Sequence, residues 1–592
     1  MILCFKGFAH HKTLSKTNFS KKPHYMRQLR VIFKSIVIGL LLSNLIISPL
    51  IALADPIGLH QDDVSVVVPT FEKALTPDQI VERDAQAVNQ KQGTAMFAGF
   101  SLDTQLSPVH DGTMIIKDGN THVWRMLIVS PGALQTGLVF DRFALGAGEK
   151  LFVYTPNLSV VHGPYVRSDN VASGILATPI TADDSLVVEF HAPITNGILH
   201  TNHPLRLTSV VHIVQGGHSD GQSFLKGIGS AGGCNVNINC IEGQNWQRQK
   251  RGVARMMMRV GTSMFYCSGT LINNTRNDGA MLFLTAEHCG TGATPQNLTQ
   301  WRFYFNFERS GCDNTGIVPS HFMLTGAEVL ASAWLSNGSD FKLLRLTQTA
   351  PRDWNLYWNG WDRREYPSNS GVVIHHPSGD VKKISTYWEP TTPVTPNFGG
   401  QIMATNSAWR VVWAPTTTNH GVTEGGSSGS PLFNSDGLVI GTLAGGQATC
   451  NHRNLPDFFG RFSHHWNLNG THPTISLASH LDPLNTGVEV LGGFDPNLPT
   501  HIQNPADAAP EIASMHFVQE SNFINMRFTK SISQAQVAIF NASGNLIKTE
   551  DLGQVLANTV RTISTHGLRP GMYLAKINAQ LGVSVLKFIV VR

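Results

Sequence analysis

Residues Thr423–Phe433 read TEGGSSGSPLF. Two glycines precede a pair of serines, and a third serine lies between Gly429 and Pro431. Glycine, serine and proline are ordinary loop formers, so one reading is a surface turn. The other is a serine nucleophile on a tight loop whose glycines let a substrate carbonyl approach the backbone. A nucleophilic serine needs a base in hydrogen-bond reach, and the base needs a group to orient it. The choice between the readings therefore rests on the histidines and carboxylates elsewhere in the chain.

Histidine is plentiful, with 25 in the chain. His375, His376, His420, His452, His464 and His465 read as surface or structural residues. His288 differs, because it ends the apolar run LFLTAEHC beside a cysteine. A base at a strand end, with its backbone tied by a crosslink, is held better than one on a free loop. Asp340 is the polar residue that opens the apolar run FKLLRL. A carboxylate buried there needs a hydrogen-bonding partner, and an imidazole Nδ1–H can supply one. Taken alone, Asp340 also reads as a strand-entry or turn residue.

Together, TAEHC, SDFKLLRL and GGSSGSP, in the order His, Asp, Ser, resemble the trypsin-like (chymotrypsin-fold) serine peptidases. The stretches GWDRREYPSNSGVVIHHPSGDVKKIS, LPDFFGRF and LASHLDPLNTGV bring the resemblance closest to the bacterial lysyl endopeptidases, over about 227–490. The resemblance implies a mainly β fold. Two six-stranded antiparallel β-barrels would be flanked by an N-terminal β-rich propeptide and a C-terminal β-sandwich. It implies Ser428 as nucleophile, His288 as base and Asp340 as orienting acid, with the N–H groups of Gly426 and Ser428 as oxyanion hole. It also implies the disulfides Cys234–Cys450, Cys240–Cys312 and Cys267–Cys289.

A cleft for a basic side chain needs a carboxylate, since an unpaired buried cation is strongly disfavoured. The resemblance puts Asp457 in that place and Thr423 beside it. Leu443, Ala444 and Gly445 become the wall strand that pairs with substrate backbone. For Asp457 alone, a turn residue after Pro456 is the other reading. Three positions depart from the pattern. Glu287 stands where trypsin-like enzymes usually have a small residue. Ser427 replaces the aspartate that digestive enzymes pair with their new N-terminus. Ala444 replaces a histidine of the lysyl endopeptidases, which loosens the expectation of strict Lys preference towards Lys and Arg.

The rest of the chain frames this block. With 592 residues, several domains are expected at about 100–200 residues each. Hydrophobic residues at 42% argue against disorder, and a formal charge of +4 without a basic stripe argues against nucleic acid as partner. Six of the seven cysteines lie between Cys234 and Cys450, with no C-x-x-C, which favours disulfides over a metal site. Residues 26–56 run from basic to apolar to Ala52-Leu53-Ala54, the layout of a secretory signal cut after Ala54. A membrane anchor is the competing reading of that apolar run.

The expected organisation is a signal region at 1–54, a β-rich propeptide at 55–226, the peptidase at 227–490, a linker at 491–512 and a C-terminal domain at 513–592. The 95–215 segment alternates strands and turns and resembles the propeptides of the same enzymes. GNLIKTEDL, LRPGMYLAKI and KFIVVR resemble type IX secretion sorting domains, with a carbohydrate- or surface-binding module as alternative. Lys226-Gly227 lies in a Gly/Ser-rich stretch that reads as an exposed linker, and is the expected processing site.

The chain is thus expected to be a secreted, monomeric serine endopeptidase made as a precursor. It would use neither cofactor nor metal. Its partners would be protein substrates, its own propeptide and a secretion machinery. A catalytically silent binding or adhesion protein of the same fold is the alternative; such proteins usually lose a triad member, and here all three are present.

Overall fold

The structure is a computed structural model that describes residues 68–88, 95–194, 203–214, 229–497 and 513–590, apart from a few short breaks. Ala54 with its signal region, and Lys226, lie outside the described residues. Strands dominate throughout.

In the N-terminal part, Thr121–Val129 pairs with Ser185–Pro193, which pairs with Lys150–Tyr154, all antiparallel. Opposite them, Leu207–Ile213 is flanked by Met96–Leu106 and Gln135–Phe140. Phe100, Trp124, Ile128, Leu138, Phe140 and Phe190 fill the space between the two sheets. The loosely patterned stretch before residue 90 contains a helix, Pro77–Val88. Its start is a reciprocal cap: Thr76 Oγ1 accepts from Gln79 N at 3.2 Å, and Gln79 Oε1 from Thr76 N at 3.0 Å.

The second edge of Met96–Leu106 pairs antiparallel with Ser263–Leu271, from Phe100 opposite Ser263 to Met96 opposite Tyr266. One sheet therefore runs from the N-terminal part into the cysteine-bearing part. Arg302 Nε adds a bond to Thr178 O at 2.8 Å.

The cysteine-bearing part holds two antiparallel groups of strands. The first includes Val253–Val260, Ser263–Leu271, Leu282–Thr285, Arg302–Phe305 and Phe341–Leu346, packed on Met256, Phe283, Trp301, Phe303 and Leu344. The second includes Gly371–His375, Lys383–Tyr387, Pro431–Asn434, Val439–Gly446 and Asp457–Arg461, packed on Val373, Trp409, Leu432, Leu443 and Phe459. A third apolar cluster joins them through Trp361, Leu343, Leu284, Ile374 and Phe433. The cysteines pair Cys234–Cys450, Cys240–Cys312 and Cys267–Cys289, with Cα separations of 5.5, 4.5 and 6.1 Å.

Two linker expectations change. Over Gly229–Gly232 the Gly/Ser-rich stretch is bound and at least half-buried. Gly229 N and Ala231 N reach Asp380 at 3.0 and 3.2 Å, and Gly232 N reaches Glu424 at 3.0 Å. The buried Asp380 carboxylate and the half-buried Glu424 need donors, and these backbone amides supply them. At the other end, Phe494 packs edge-on against Trp358 at 5.6 Å and Asp495 pairs with Arg251, so the compact body continues past residue 490. The C-terminal residues form a three-stranded and a four-stranded sheet over Ile524, Val537, Ile539, Ile577 and Phe588.

Candidate active site

His288 opens a short helical turn just after the strand Leu282–Thr285, and the next residue, Cys289, bridges to Cys267 on the neighbouring strand. Asp340 immediately precedes Phe341–Leu346, which pairs with Leu282–Thr285. Its backbone is left-handed, with φ 60°, a conformation that asparagine and aspartate tolerate better than other side-chain-bearing residues. Its side chain thereby turns to His288. Asp340 Oδ2 takes Nδ1–H at 2.7 Å and Oδ1 takes the backbone N–H of His288 at 3.0 Å. Both oxygens of a fully buried carboxylate hold one residue. The carboxylate fixes the tautomer, leaving Nε2 as the basic nitrogen. Among the described residues nothing hydrogen-bonds to Nε2.

The serine loop is held against this pair by Ser268, which follows Cys267. Ser268 N donates to Ser428 O at 2.8 Å, and Ser268 Oγ to Gly426 O at 2.9 Å. Thr285 Oγ1 donates to Ser268 O at 2.8 Å, which ties in the histidine strand. Ser428 O also lies 3.6 Å from Cys289 Sγ. No hydrogen bond joins Ser428 Oγ to Nε2; such contacts are often long before substrate binds. The approach of Cys267, His288 and Cys289 to one another is that of a disulfide beside an imidazole.

Two glycines of the loop are dictated by space. Gly426 has φ 87°, and a Cβ there would lie 2.9 Å from Gly379 N and from His376 O. Gly429 has φ 78°, and its Cβ would lie 2.1 Å from Thr285 Oγ1 and 2.6 Å from Ala286 N. Gly429 is therefore where the serine loop touches the histidine strand. Among the described residues no carbonyl takes the N–H of Gly426 or Ser428. Gly429→Ala is expected to lower both melting temperature and kcat. The left-handed backbone alone costs about 1–2 kcal/mol, and the clash pushes the loop off Thr285. A variant with wild-type melting and activity would contradict this.

Asp457 begins a strand opposite Gly446. Oδ2 accepts Trp413 Nε1–H at 2.6 Å and Thr423 Oγ1–H at 2.7 Å, and Oδ1 accepts Ala448 N–H at 3.1 Å. A Cβ on Gly446 would lie 1.7 Å from Oδ1, so glycine makes room for the carboxylate. Burial pushes its pKa up to about 6, against these three donors. The ladder shifts register between Leu443 and Gly445, so Ala444 has no partner there. The Ala444 side chain is buried with Phe398, Met403 and Leu335. Leu443 O takes the N–H of Gly429 at 2.8 Å, fixing this strand to the serine loop.

Glu424, the other carboxylate near the loop, holds Gly232 N, Asn235 Nδ2 and Ser378 Oγ within 3.2 Å, facing away from any pocket role. Glu287 stays behind His288, accepting from Thr291 Oγ1 at 3.2 Å, and burial raises its pKa. His375, His376 and His465 are fully buried, not on the surface; each has a polar partner, so burial carries no unmet bond on at least one nitrogen. Sequence reasoning did not single out Ser268, Trp413 or Gly446. Only the position of Ser268, next to Cys267, gave any signal.

Residues 228–460 match the family described as lysyl endopeptidase, C-terminal domain, and residues 520–591 match the secretion system C-terminal sorting domain. A lysyl endopeptidase of Pseudomonas aeruginosa is 28% identical over 425 residues, covering 66% of this chain and 84% of that protein. Among solved structures, the protease Anisep from Arthrobacter nicotinovorans matches at 15% identity and TM-score 0.26, covering 38% of this chain and 93% of its own. The thermostable serine protease AL20 from an extremophilic microorganism matches at 14% and 0.25, covering 36% and 92%.

Proposed function

We propose that this chain, a serine endopeptidase by its likeness to the lysyl endopeptidases, cleaves peptide bonds after Lys and Arg through a Ser428–His288–Asp340 acyl-enzyme mechanism. The observation that carries the specificity is the buried Asp457 carboxylate, held by three donors beside a glycine that leaves it room. A basic side chain entering there meets its counter-charge, while Ala444 and Gly445 offer backbone to the substrate. His288 Nε2 takes the Ser428 proton as Oγ attacks the carbonyl carbon. Asp340 holds Nδ1–H and stabilises the imidazolium that forms. The N–H groups of Gly426 and Ser428 receive the oxyanion. The imidazolium returns its proton to the leaving amine, and water resolves the acyl-enzyme by the same route.

The two antiparallel groups of strands serve as the two barrels of such an enzyme. Residues 55–226 act as a propeptide docked through Met96–Leu106, and the peptidase runs from Gly227 to about residue 497. The sorting-domain match supports export or cell-surface display through a secretion machinery. The signal would end at Ala54 and the product would be a monomer.

Mass spectrometry of a denatured protein after incubation with the chain tests the reading. Cuts should follow Lys and Arg. The preference should also depend on pH, because below about 6 the Asp457 carboxyl is neutral. The ratio of kcat/KM for a Lys over a norleucine substrate should fall as pH drops through about 6 and stay level above it. The ratio cancels any pH dependence of the chemical step that both substrates share. The folded pKa lies above the ordinary carboxyl value of 3.8. The stability that Asp457 contributes is therefore fullest below that value and lost as pH rises through about 6. A ratio that stays flat between roughly pH 5 and 8, or cuts without basic preference, would overturn the assignment of Asp457.

A further inference from the structure

His375 is fully buried, as are Ser427 and Ser385 within about one per cent. Ser385 Oγ donates its one proton to Val422 O at 3.0 Å. It must therefore accept from His375 Nε2–H, 3.2 Å away. Nδ1 is then the acceptor for the Ser427 hydroxyl at 2.8 Å. Ser427 Oγ in turn accepts the N–H of Glu424 at 3.1 Å. One tautomer of an uncharged imidazole completes every bond in this chain; the tautomer is assigned from the network.

The network meets the loop at Val422, Glu424 and Ser427. Between and beside them lie Thr423 of the pocket, Gly426 and Ser428. The residues after His375 form the bed under the same loop. Ser378 N donates to Gly425 O at 2.6 Å, and His376 N to Ser268 Oγ at 2.9 Å. Among the described residues, Gly229, Ala231 and Gly232 meet Asp380 and Glu424 through their amides.

We propose that His375 is a positioning residue for the oxyanion loop, fixing Ser427 through a neutral hydrogen-bond chain in place of the N-terminal ion pair of digestive enzymes. The proposal rests on Ser428 being the nucleophile. Burial and the nearby Lys383 push the His375 pKa down to about 3, so the chain stays uncharged while the enzyme works. Activity then needs an open cleft but no α-ammonium group.

The test compares kcat, KM and melting temperature of the isolated protein with those of His375→Ala, His375→Gln, Ser427→Ala and the His375→Ala/Ser427→Ala pair, on a lysine amide substrate. An unmet buried bond predicts a loss of about 10- to 100-fold in kcat for His375→Ala, with KM changed much less. His375→Gln, whose amide offers one acceptor and one donor, should recover most of that loss. The double variant should be no worse than His375→Ala, because both changes break one chain. Near-normal kcat in His375→Ala, losses that multiply in the double variant, or a folded but equally impaired His375→Gln would each overturn the proposal. An inactive wild type, or an active Ser428→Ala, would instead overturn the functional reading on which it rests.

Discussion

Ser428→Ala is expected to reduce kcat by about 10⁶-fold, leaving only what the oxyanion hole and substrate binding provide. The size follows from the mechanism: without Oγ no acyl-enzyme forms, and the basic Nε2 has no proton to take. The fold should be unaffected. Ser428 is held through its backbone, by Ser268 N to its carbonyl, and no side-chain bond is lost. Melting temperature should match that of the wild type while hydrolysis of a lysine substrate disappears. The same variant bears on maturation. If Lys226 is cut by the enzyme itself, Ser428→Ala accumulates uncut, whereas wild type acquires an N-terminus at Gly227. N-terminal sequencing reads both. Substantial activity in Ser428→Ala would show that the nucleophile lies elsewhere, and normal processing of the pure variant would rule out self-cleavage.

Asp457→Asn is expected to lower kcat/KM for Lys and Arg substrates by about 10²–10³-fold, since a buried cation without its partner loses roughly 3–5 kcal/mol. Hydrolysis after an uncharged residue should change far less, because His288, Asp340 and the oxyanion groups are not touched. Melting temperature should change little, because relief of the buried charge offsets the bond that Ala448 N–H loses. Burial already drives the Asp457 pKa up to about 6, so the charged form is held at neutral pH at some cost to stability. Asparagine keeps an acceptor for Trp413 Nε1–H and Thr423 Oγ1–H without that charge, but its NH2 cannot accept the N–H of Ala448. Steady-state kinetics on a matched pair of Lys and norleucine substrates, with a melting curve, reads both effects. An unchanged preference would remove Asp457 from the pocket. Glu424 would be a poor substitute, given its bonds to Gly232, Asn235 and Ser378.

Several elements were legible from local pattern. The run Ser185–Pro193 is a strand over its whole length, and the alternating runs near residue 540 form a hairpin of Ile532–Asn541 with Leu546–Val555. Period-two burial is a property of neighbouring residues, so a short window contains it. The helix Pro77–Val88 escaped that reading because its apolar residues are few, and its start is signalled by a polar cap rather than by period. The linkers were misjudged for a related reason. Gly, Ser and Pro mark a lack of regular structure, but not exposure, and Gly229–Gly232 is irregular yet bound by two carboxylates.

The sequence alone determined which residue types stand at which spacing: a histidine and an aspartate at strand ends, a serine among glycines, and six cysteines in one block. Tertiary structure alone decided what those residues touch. Ser268 grips the serine loop from 158 positions away, Trp413 reaches Asp457 across 44, and His375 reaches Ser427 across 52. The pairing of Met96–Leu106 with Ser263–Leu271 joins segments that share no local signal. The physical reason is that a hydrogen bond or a buried carboxylate is defined by its partner. Chain-local pattern specifies backbone preference and polarity, whereas the partner is chosen only when distant strands pack and exclude water.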